Sequence, residues 1–311
     1  QFGEKGKEEM LIMDYPSHQR RLMPPLAKAY ALDIALTNLT KRYINSSEKD
    51  MREIEPLAAG LKSVATWYTS DTIQTCREAC GGKGYLAENR FADLKADSDI
   101  FTTFEGDNTV LMQLVAKGVL GDFNQEIVRG GWLGMVNFVA DRFVSTLREK
   151  NFINTNNVNE SHLLDPSFQL EAFQYREQDL TVSVGQRLRG YIKRGVPSYQ
   201  AFLRCQHHML AVAHAYVDRI ILEQFIHRID ACTDTGTKVT LKRICDLYAL
   251  HTMETHKGWY LEQGVMSGNK TKAVRRLVDK LCLELRRDAL PLVQAFGIPE
   301  ACLGAPIAEL A

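Results

Sequence analysis

Lys270-Thr271-Lys272-Ala273-Val274-Arg275-Arg276-Leu277-Val278-Asp279-Lys280-Leu281-Cys282-Leu283-Glu284-Leu285 places Val274, Leu277, Val278, Leu281 and Leu285 on one face of a helix. Offsets of three, four and seven belong to a helix that buries one stripe against a core. The pattern extends to Phe296, where Gly297-Ile298-Pro299 stops it. Upstream, Val239–Gln263 carries a stripe of Leu241, Ile244, Cys245 and Tyr248. Tyr199–Asp230 and Gln169–Arg194 read as two further helices, the second stopped by Gly195 and Pro197. Strand alternation is visible nowhere. The predicted class is all-α, with two helical bundles in series.

The first half follows the same logic. Pro16 opens a helix, and Pro24-Pro25 start or kink the next, which runs over Leu26–Ile44. Pro56 begins another, carried to Cys80 and stopped by Gly81-Gly82-Lys83-Gly84. A short polar helix is expected around Glu88–Ala96. The asparagine-rich Asn151–Asn159 reads as a linker. The expected organisation is a first bundle over 1–125, a linker region over 126–166 and a second bundle over 167–311.

Composition excludes several function classes. The chain has 311 residues, 45% of them apolar and 24% charged, as in ordinary globular domains. With 38 basic and 38 acidic residues, nothing in the charge points to nucleic acid or an anionic membrane. No apolar run approaches the roughly 20 residues that a bilayer span needs. Seven irregularly spaced cysteines make no disulfide framework, which favours a reducing compartment. Cys76 and Cys80 lack a second ligand pair, and His207, His208, His214, His227, His251 and His256 lack zinc-site spacing. These are read as buried thiols and as structural or surface histidines, with no metal.

Two stretches invite a chemical reading. In Thr103-Phe104-Glu105-Gly106-Asp107-Asn108, either Asp107 or Asn108 can cap the helix that begins at Thr109. Glu105 then sits just ahead of a helix N-terminus. The helix dipole favours its anion, and burial beside Phe104 opposes it. Opposed influences of this kind poise a carboxylate for proton transfer, although a plain capping acid has the same sequence. In Gly81-Gly82-Lys83-Gly84 the glycines either cap a helix or let a backbone approach a ligand such as a phosphate.

Taken together, Cys76-Arg77-Glu78-Ala79-Cys80-Gly81-Gly82-Lys83-Gly84-Tyr85 and Thr103-Phe104-Glu105-Gly106-Asp107-Asn108-Thr109-Val110-Leu111-Met112-Gln113 closely resemble the acyl-CoA oxidases. Gln1-Phe2-Gly3 is similar to the end of that family's Arg-x-Gln-Phe-Gly motif. Asp14-Tyr15-Pro16, Leu22-Met23-Pro24-Pro25, Ala295-Phe296-Gly297-Ile298-Pro299 and Ala305-Pro306-Ile307 also fall at family motifs. The resemblance spans essentially the whole chain and implies the C-terminal half of a longer enzyme, its two C-terminal α-domains.

The implied reaction is oxidation of a fatty acyl-CoA to the trans-2-enoyl-CoA, with FAD as hydride acceptor and molecular oxygen reduced to hydrogen peroxide. Glu105 matches the family's catalytic base, and its backbone N–H matches one of the donors to the thioester oxygen. Gly106 falls at a substrate contact. Phe2, Glu78, Ala79, Cys80, Gly81, Gly82, Asp107 and Asn108 fall at FAD contacts, the 78–82 segment reaching the flavin of the partner in a homodimer. Glu78 departs from the usual glutamine there.

Glu309-Leu310-Ala311 is not a Ser-Lys-Leu type address, which leads to the expectation of a bacterial, cytoplasmic member. An acyl-CoA dehydrogenase that passes electrons to a carrier protein, and a non-catalytic helical dimerisation module, are the alternative readings.

Overall fold

The computed structural model describes residue 3 and residues 5–48, 50–121 and 155–308. Among the described residues all regular structure is helical, as the class predicted from sequence requires. The main elements are α1 (Pro16–Ile44), α2 (Met51–Ala79), α3 (Phe91–Ile100), α4 (108–121), α5 (Pro166–Lys193), α6 (Ser198–Asp230), α7 (Thr235–Thr255), α8 (Lys257–Glu262), α9 (Gly268–Arg286) and α10 (Ala289–Gln294). Phe2 and most of the expected linker lie outside the described residues.

Element ends follow the capping chemistry, with four departures from expectation. First, α1 does not break at Pro24-Pro25. It opens on Pro16, where a missing N–H costs nothing, and runs on through both prolines. An interior proline costs about 3 kcal/mol. Burial of Met23, Pro24, Ala27, Ala31, Leu32 and Ala35 along one face offsets this. Second, α2 starts before Pro56, at Met51. Third, α7 begins earlier than its apolar stripe, because Asp234 caps it by accepting the Thr237 N–H at 2.7 Å; it ends at Thr255, with His256 as its C-terminal cap. Fourth, α9 stops at Arg286 and α10 resumes at Ala289. In α9 the stripe Val274, Leu277, Val278, Leu281 and Leu285 is buried, as its spacing requires.

Helices α1 and α2 form an antiparallel pair, with Arg42 paired to Glu53 at one end and Arg21 to Glu78 at the other. Helices α5 and α6 form a second, tied by Arg176–Asp218 at 3.3 Å and by Glu177–Arg219. The two pairs share one apolar core. Met23, Ala31, Leu61 and Met112 from the first half belong to the same cluster as Phe225, Leu247 and Val278 from the second. Beyond α2, α1 packs against α6, α7 and α9. Where α2 crosses α6, Gly60 allows the approach: a Cβ there would stand 2.5 Å from Cγ2 of Val217. Nearby, His214 stacks on Trp67 with ring centroids 5.7 Å apart.

Polar links span the same joint. Arg20 on α1 reaches Asp279 on α9 at 2.7 Å and Glu254 on α7, and Arg275 also meets Glu254, at 3.1 Å. Burial pushes the Glu254 carboxyl up, but the two guanidiniums hold it below its ordinary value.

Candidate functional site

The Glu105 loop is built from its C-terminal side. Asp107 is the cap of α4: its Oδ1 accepts the N–H groups of Thr109 at 2.9 Å and Val110 at 3.1 Å. Asn108 is buried, and its backbone N–H donates to the Thr102 carbonyl at 3.0 Å, closing the loop. The Asn108 side chain faces α2, where Nδ2 donates to Thr66 Oγ1 at 2.8 Å and to the Ser63 carbonyl. From the same turn of α2, Lys62 Nζ donates to Asn108 Oδ1 at 3.0 Å and to the Gly106 carbonyl at 2.8 Å.

That fastening holds an uncommon backbone. Glu105 has φ 57° and Gly106 φ 106°, both in the left-handed region. Glycine is free to adopt it, whereas a glutamate there costs on the order of 1–3 kcal/mol unless its surroundings fix it. The consequence is a carboxylate turned out of the helical packing. Glu105 is exposed, so the expected burial beside Phe104 is absent. Phe104 is exposed too and meets Phe101 edge-on, with centroids 6.3 Å apart. Among the described residues, no acceptor takes the backbone N–H of Glu105 or of Gly106. Burial pushes the Lys62 ammonium down in pKa, against the pull of the Glu105 and Asp107 carboxylates beside it. Exposed Ile100, Phe101, Phe104, Val110 and Leu114 lie in the segments that run into and out of the loop.

The glycine segment sits at the far end of α2. Gly81 has φ 59°. Gly84 is buried, and a Cβ on it would stand 2.0 Å from the Arg77 carbonyl oxygen. Gly82 is exposed, with no atom within 4 Å of where its Cβ would be. The Arg77 guanidinium covers the Tyr85 ring at 4.3 Å. Glu78 accepts from Gln74 Nε2 at 2.7 Å and pairs with Arg21 at 3.2 Å, so its carboxylate is already neutralised within the chain. Ala79 and Cys80 are half-buried, and burial pushes the Cys76 and Cys80 thiols up.

The fold therefore groups the predicted residues in two places rather than one. Glu105, Gly106, Asp107 and Asn108 stand over the 62–66 turn of α2. Glu78, Ala79, Cys80, Gly81 and Gly82 lie at and just past its C-terminal end, about 24 Å further on at 1.5 Å per residue. Sequence reading missed Lys62, Ser63 and Thr66, which look like ordinary polar positions in an amphipathic helix. It also missed Asn89, whose buried amide donates to the Lys83 carbonyl at 2.8 Å.

Comparison with known proteins places this geometry in a family. Residues 1–120 match the family described as acyl-CoA oxidase, C-alpha1 domain, and residues 165–310 match the family described as acyl-CoA oxidase. The chain is 39% identical to acyl-coenzyme A oxidase 2, peroxisomal, of Arabidopsis thaliana, over 99% of its own length and 45% of that protein. It is 31% identical to human peroxisomal acyl-coenzyme A oxidase 3, over 99% of its length and 46% of that protein. Among solved structures, acyl-CoA oxidase 3 of Yarrowia lipolytica superposes with a TM-score of 0.85 at 27% identity, over 99% of this chain and 46% of that one. Acyl-CoA oxidase-1 of Caenorhabditis elegans, complexed with FAD and ATP, shares the fold with a TM-score of 0.84 at 20% identity, over 98% of this chain and 46% of that one.

These findings correct one expectation and remove the basis of another. A cytoplasmic location is overturned, since the Arabidopsis and human relatives are named peroxisomal. The address of a whole protein is not legible in a chain that spans about half the length of the relatives it matches. A bacterial source has no support, because these relatives are plant, animal and yeast proteins. The chain belongs to the acyl-CoA oxidase family and corresponds to the C-terminal half of its members.

Proposed function

We propose that the whole protein is an FAD-dependent acyl-CoA oxidase of fatty acid β-oxidation. It converts a fatty acyl-CoA and molecular oxygen into trans-2-enoyl-CoA and hydrogen peroxide, and it works in the peroxisome, where its relatives are placed by name. The observation that carries the reading is the Glu105 loop, which combines an exposed carboxylate with an unengaged backbone N–H. Glu105 takes the α-proton of the thioester onto its carboxylate. Because the α-carbon is a weak acid, the thioester oxygen must be held as charge develops on it. The Glu105 N–H is the donor this chain offers for that, and Gly106 lies against the substrate.

FAD, when bound, supplies the acceptor for the β-hydride and the route to oxygen. The glycine segment fits the diphosphate edge of such a cofactor, since Gly81 and Gly82 are exposed and nothing packs over Gly82. Ala79 and Cys80 belong to the same edge, and Phe2 is assigned to the flavin as well. Glu78 serves by folding against Arg21 rather than by touching phosphate. Asp107 and Asn108 spend their side chains inside the chain, and the Asn108 N–H and Asp107 carbonyl are engaged too, so the second Asp107 oxygen is what this pair offers the flavin.

The distance along α2 supports a homodimer. About 24 Å of helix separates the Lys62 turn, which holds the loop of the base, from the glycine segment. That exceeds the reach of the five-carbon chain joining a flavin ring to its diphosphate. On this reading each segment serves a different cofactor, and the glycine segment reaches the partner's.

The test uses the purified full-length protein. It should be yellow and release one peroxide per enoyl-CoA formed. Reduction of an electron-transfer protein without peroxide would make it a dehydrogenase, and a colourless, inert protein would leave only a helical dimerisation module.

A further inference from the structure

We infer that the C-terminal tail is a clasp on the glycine turn, with Asn89 as the positioning residue that joins them. The inference rests on the reading of Gly81-Gly82 as a cofactor edge and adds what orders that edge. Asn89 is a buried polar residue, 4% exposed, at the end of a short turn, Ala87–Asn89. Its amide is used at both ends. Nδ2 donates to the Lys83 carbonyl at 2.8 Å, inside the glycine turn. Oδ1 accepts the backbone N–H of Ile307 at 3.0 Å, from the tail. One buried side chain thus bridges two backbones far apart in sequence.

The tail is led to this position. Tyr30 on α1 donates its hydroxyl to the Leu292 carbonyl at 2.6 Å, and its ring lies 4.9 Å from that of Phe296. Gly297 and Gly304, both with positive φ, turn the chain after these anchors. The single turn Pro306–Ala308 then packs on Ala87–Asn89. At Gly304 the approach is close enough that an added Cβ would stand 3.7 Å from the Arg90 guanidinium.

The glycine turn needs such support. Gly81, Gly82 and Lys83 are exposed. Its inner wall is Gly84 against the Arg77 carbonyl, and its exit is the Leu86 N–H on the Lys83 carbonyl at 3.2 Å. Asn89 meets that same carbonyl. Without the tail, Asn89 Oδ1 loses its donor in a buried position, where an unpaired acceptor is unfavourable. The amide then has reason to swing toward water, and the Lys83 carbonyl loses its second donor.

The experiment compares the full-length protein with two variants, one lacking everything from Gly304 onward and the other Asn89→Ala. Hydrogen exchange of the 81–86 amides, FAD affinity by titration of flavin-free protein, and melting temperature are read in each. The expected result is exchange faster by about tenfold in both, with FAD affinity weaker by a similar factor. At saturating FAD, kcat should return to that of the unaltered protein, because the Glu105 loop is untouched. Asn89→Asp keeps the acceptor for Ile307 but turns an oxygen toward the Lys83 carbonyl, so the Ile307 amide should stay slow while the 81–86 amides exchange as fast as in Asn89→Ala, which decides the matter if the truncation fails to fold. Unchanged 81–86 exchange in the truncated protein, or 81–86 exchange in Asn89→Asp that stays at the unaltered rate, overturns the clasp. Faster exchange with unchanged FAD affinity upholds the clasp and overturns the glycine segment as a cofactor edge.

Discussion

Lys62 donates to the carbonyl oxygen of Gly106 across 2.8 Å, from the middle of α2 to the residue that follows the proposed base. The same ammonium holds Asn108. The left-handed pair Glu105-Gly106 is thereby fixed from outside its own loop. Lys62→Met should free it. Two hydrogen bonds from a charged donor are lost, each worth about 1.5–3 kcal/mol. The expected outcome in the full-length enzyme is a kcat lower by about tenfold to a hundredfold with FAD still bound, measured by peroxide release. An unchanged kcat would show that the loop holds its own shape.

Glu105→Gln tests the base itself. The amide is nearly isosteric but takes no proton at neutral pH. FAD and acyl-CoA should still bind, while turnover falls by several orders of magnitude. Stopped-flow reduction of the flavin is the measurement, and bleaching at near the unaltered rate would rule Glu105 out.

Two glycines two residues apart should separate cofactor binding from folding. Gly82 has open space around it, so Gly82→Val should leave the melting temperature within a degree or so and weaken FAD retention. Gly84→Ala pushes a methyl group onto the Arg77 carbonyl and should lower the melting temperature by several degrees. Lowered stability with full flavin occupancy in Gly82→Val would mean that this glycine only stops a helix.

Cofactor sharing has its own test. A Glu105→Gln subunit co-expressed with a Gly82→Val subunit gives mixed dimers. If the base and the glycine edge of one site come from different chains, one site in each mixed dimer carries both changes and the other carries none. Activity should then exceed the sum of the two parent dimers. No excess, with the mixed dimer confirmed by mass, would put both elements of a site on one chain.

The joint between α1, α7 and α9 carries a pH signature. The Glu254 carboxyl is lower in pKa in the folded chain than when unfolded, through Arg20 and Arg275. Such a group contributes stability above its unfolded pKa, and that contribution fades as pH falls through the folded value. Glu254→Gln should therefore flatten the acid limb of a melting temperature–pH curve below about pH 5 and change little in its slope between pH 7 and 8. An unaltered acid limb would show that the guanidiniums contribute nothing there.

What the sequence reveals divides along contact range. The α9 stripe is legible because burial repeats at helical spacing, and the Asp107 cap because its partners lie two and three residues away. The run of α1 through two prolines is not, since its compensation lies in residues packed from α6, α7 and α9. The same limit hides Lys62, Thr66 and Asn89. A lysine inside a helix, a threonine one turn later and an asparagine in a turn are unremarkable until loops some 40 or 200 residues away settle on them. Glu105 was found through its motif, but its exposure was not, because the expected partner, Phe104, turns to Phe101 instead.

The placement of α1 bears on how such a chain can be remodelled. This helix lies in the region matched by the first family model, yet it packs on three helices from the region matched by the second. A crossover between two relatives anywhere from 122 to 154 would set one parent's α1 against the other's α6, α7 and α9. Shuffled chimaeras joined there should survive only when the parents agree along that seam. The inheritable module is then the pair of regions, and neither can be traded alone.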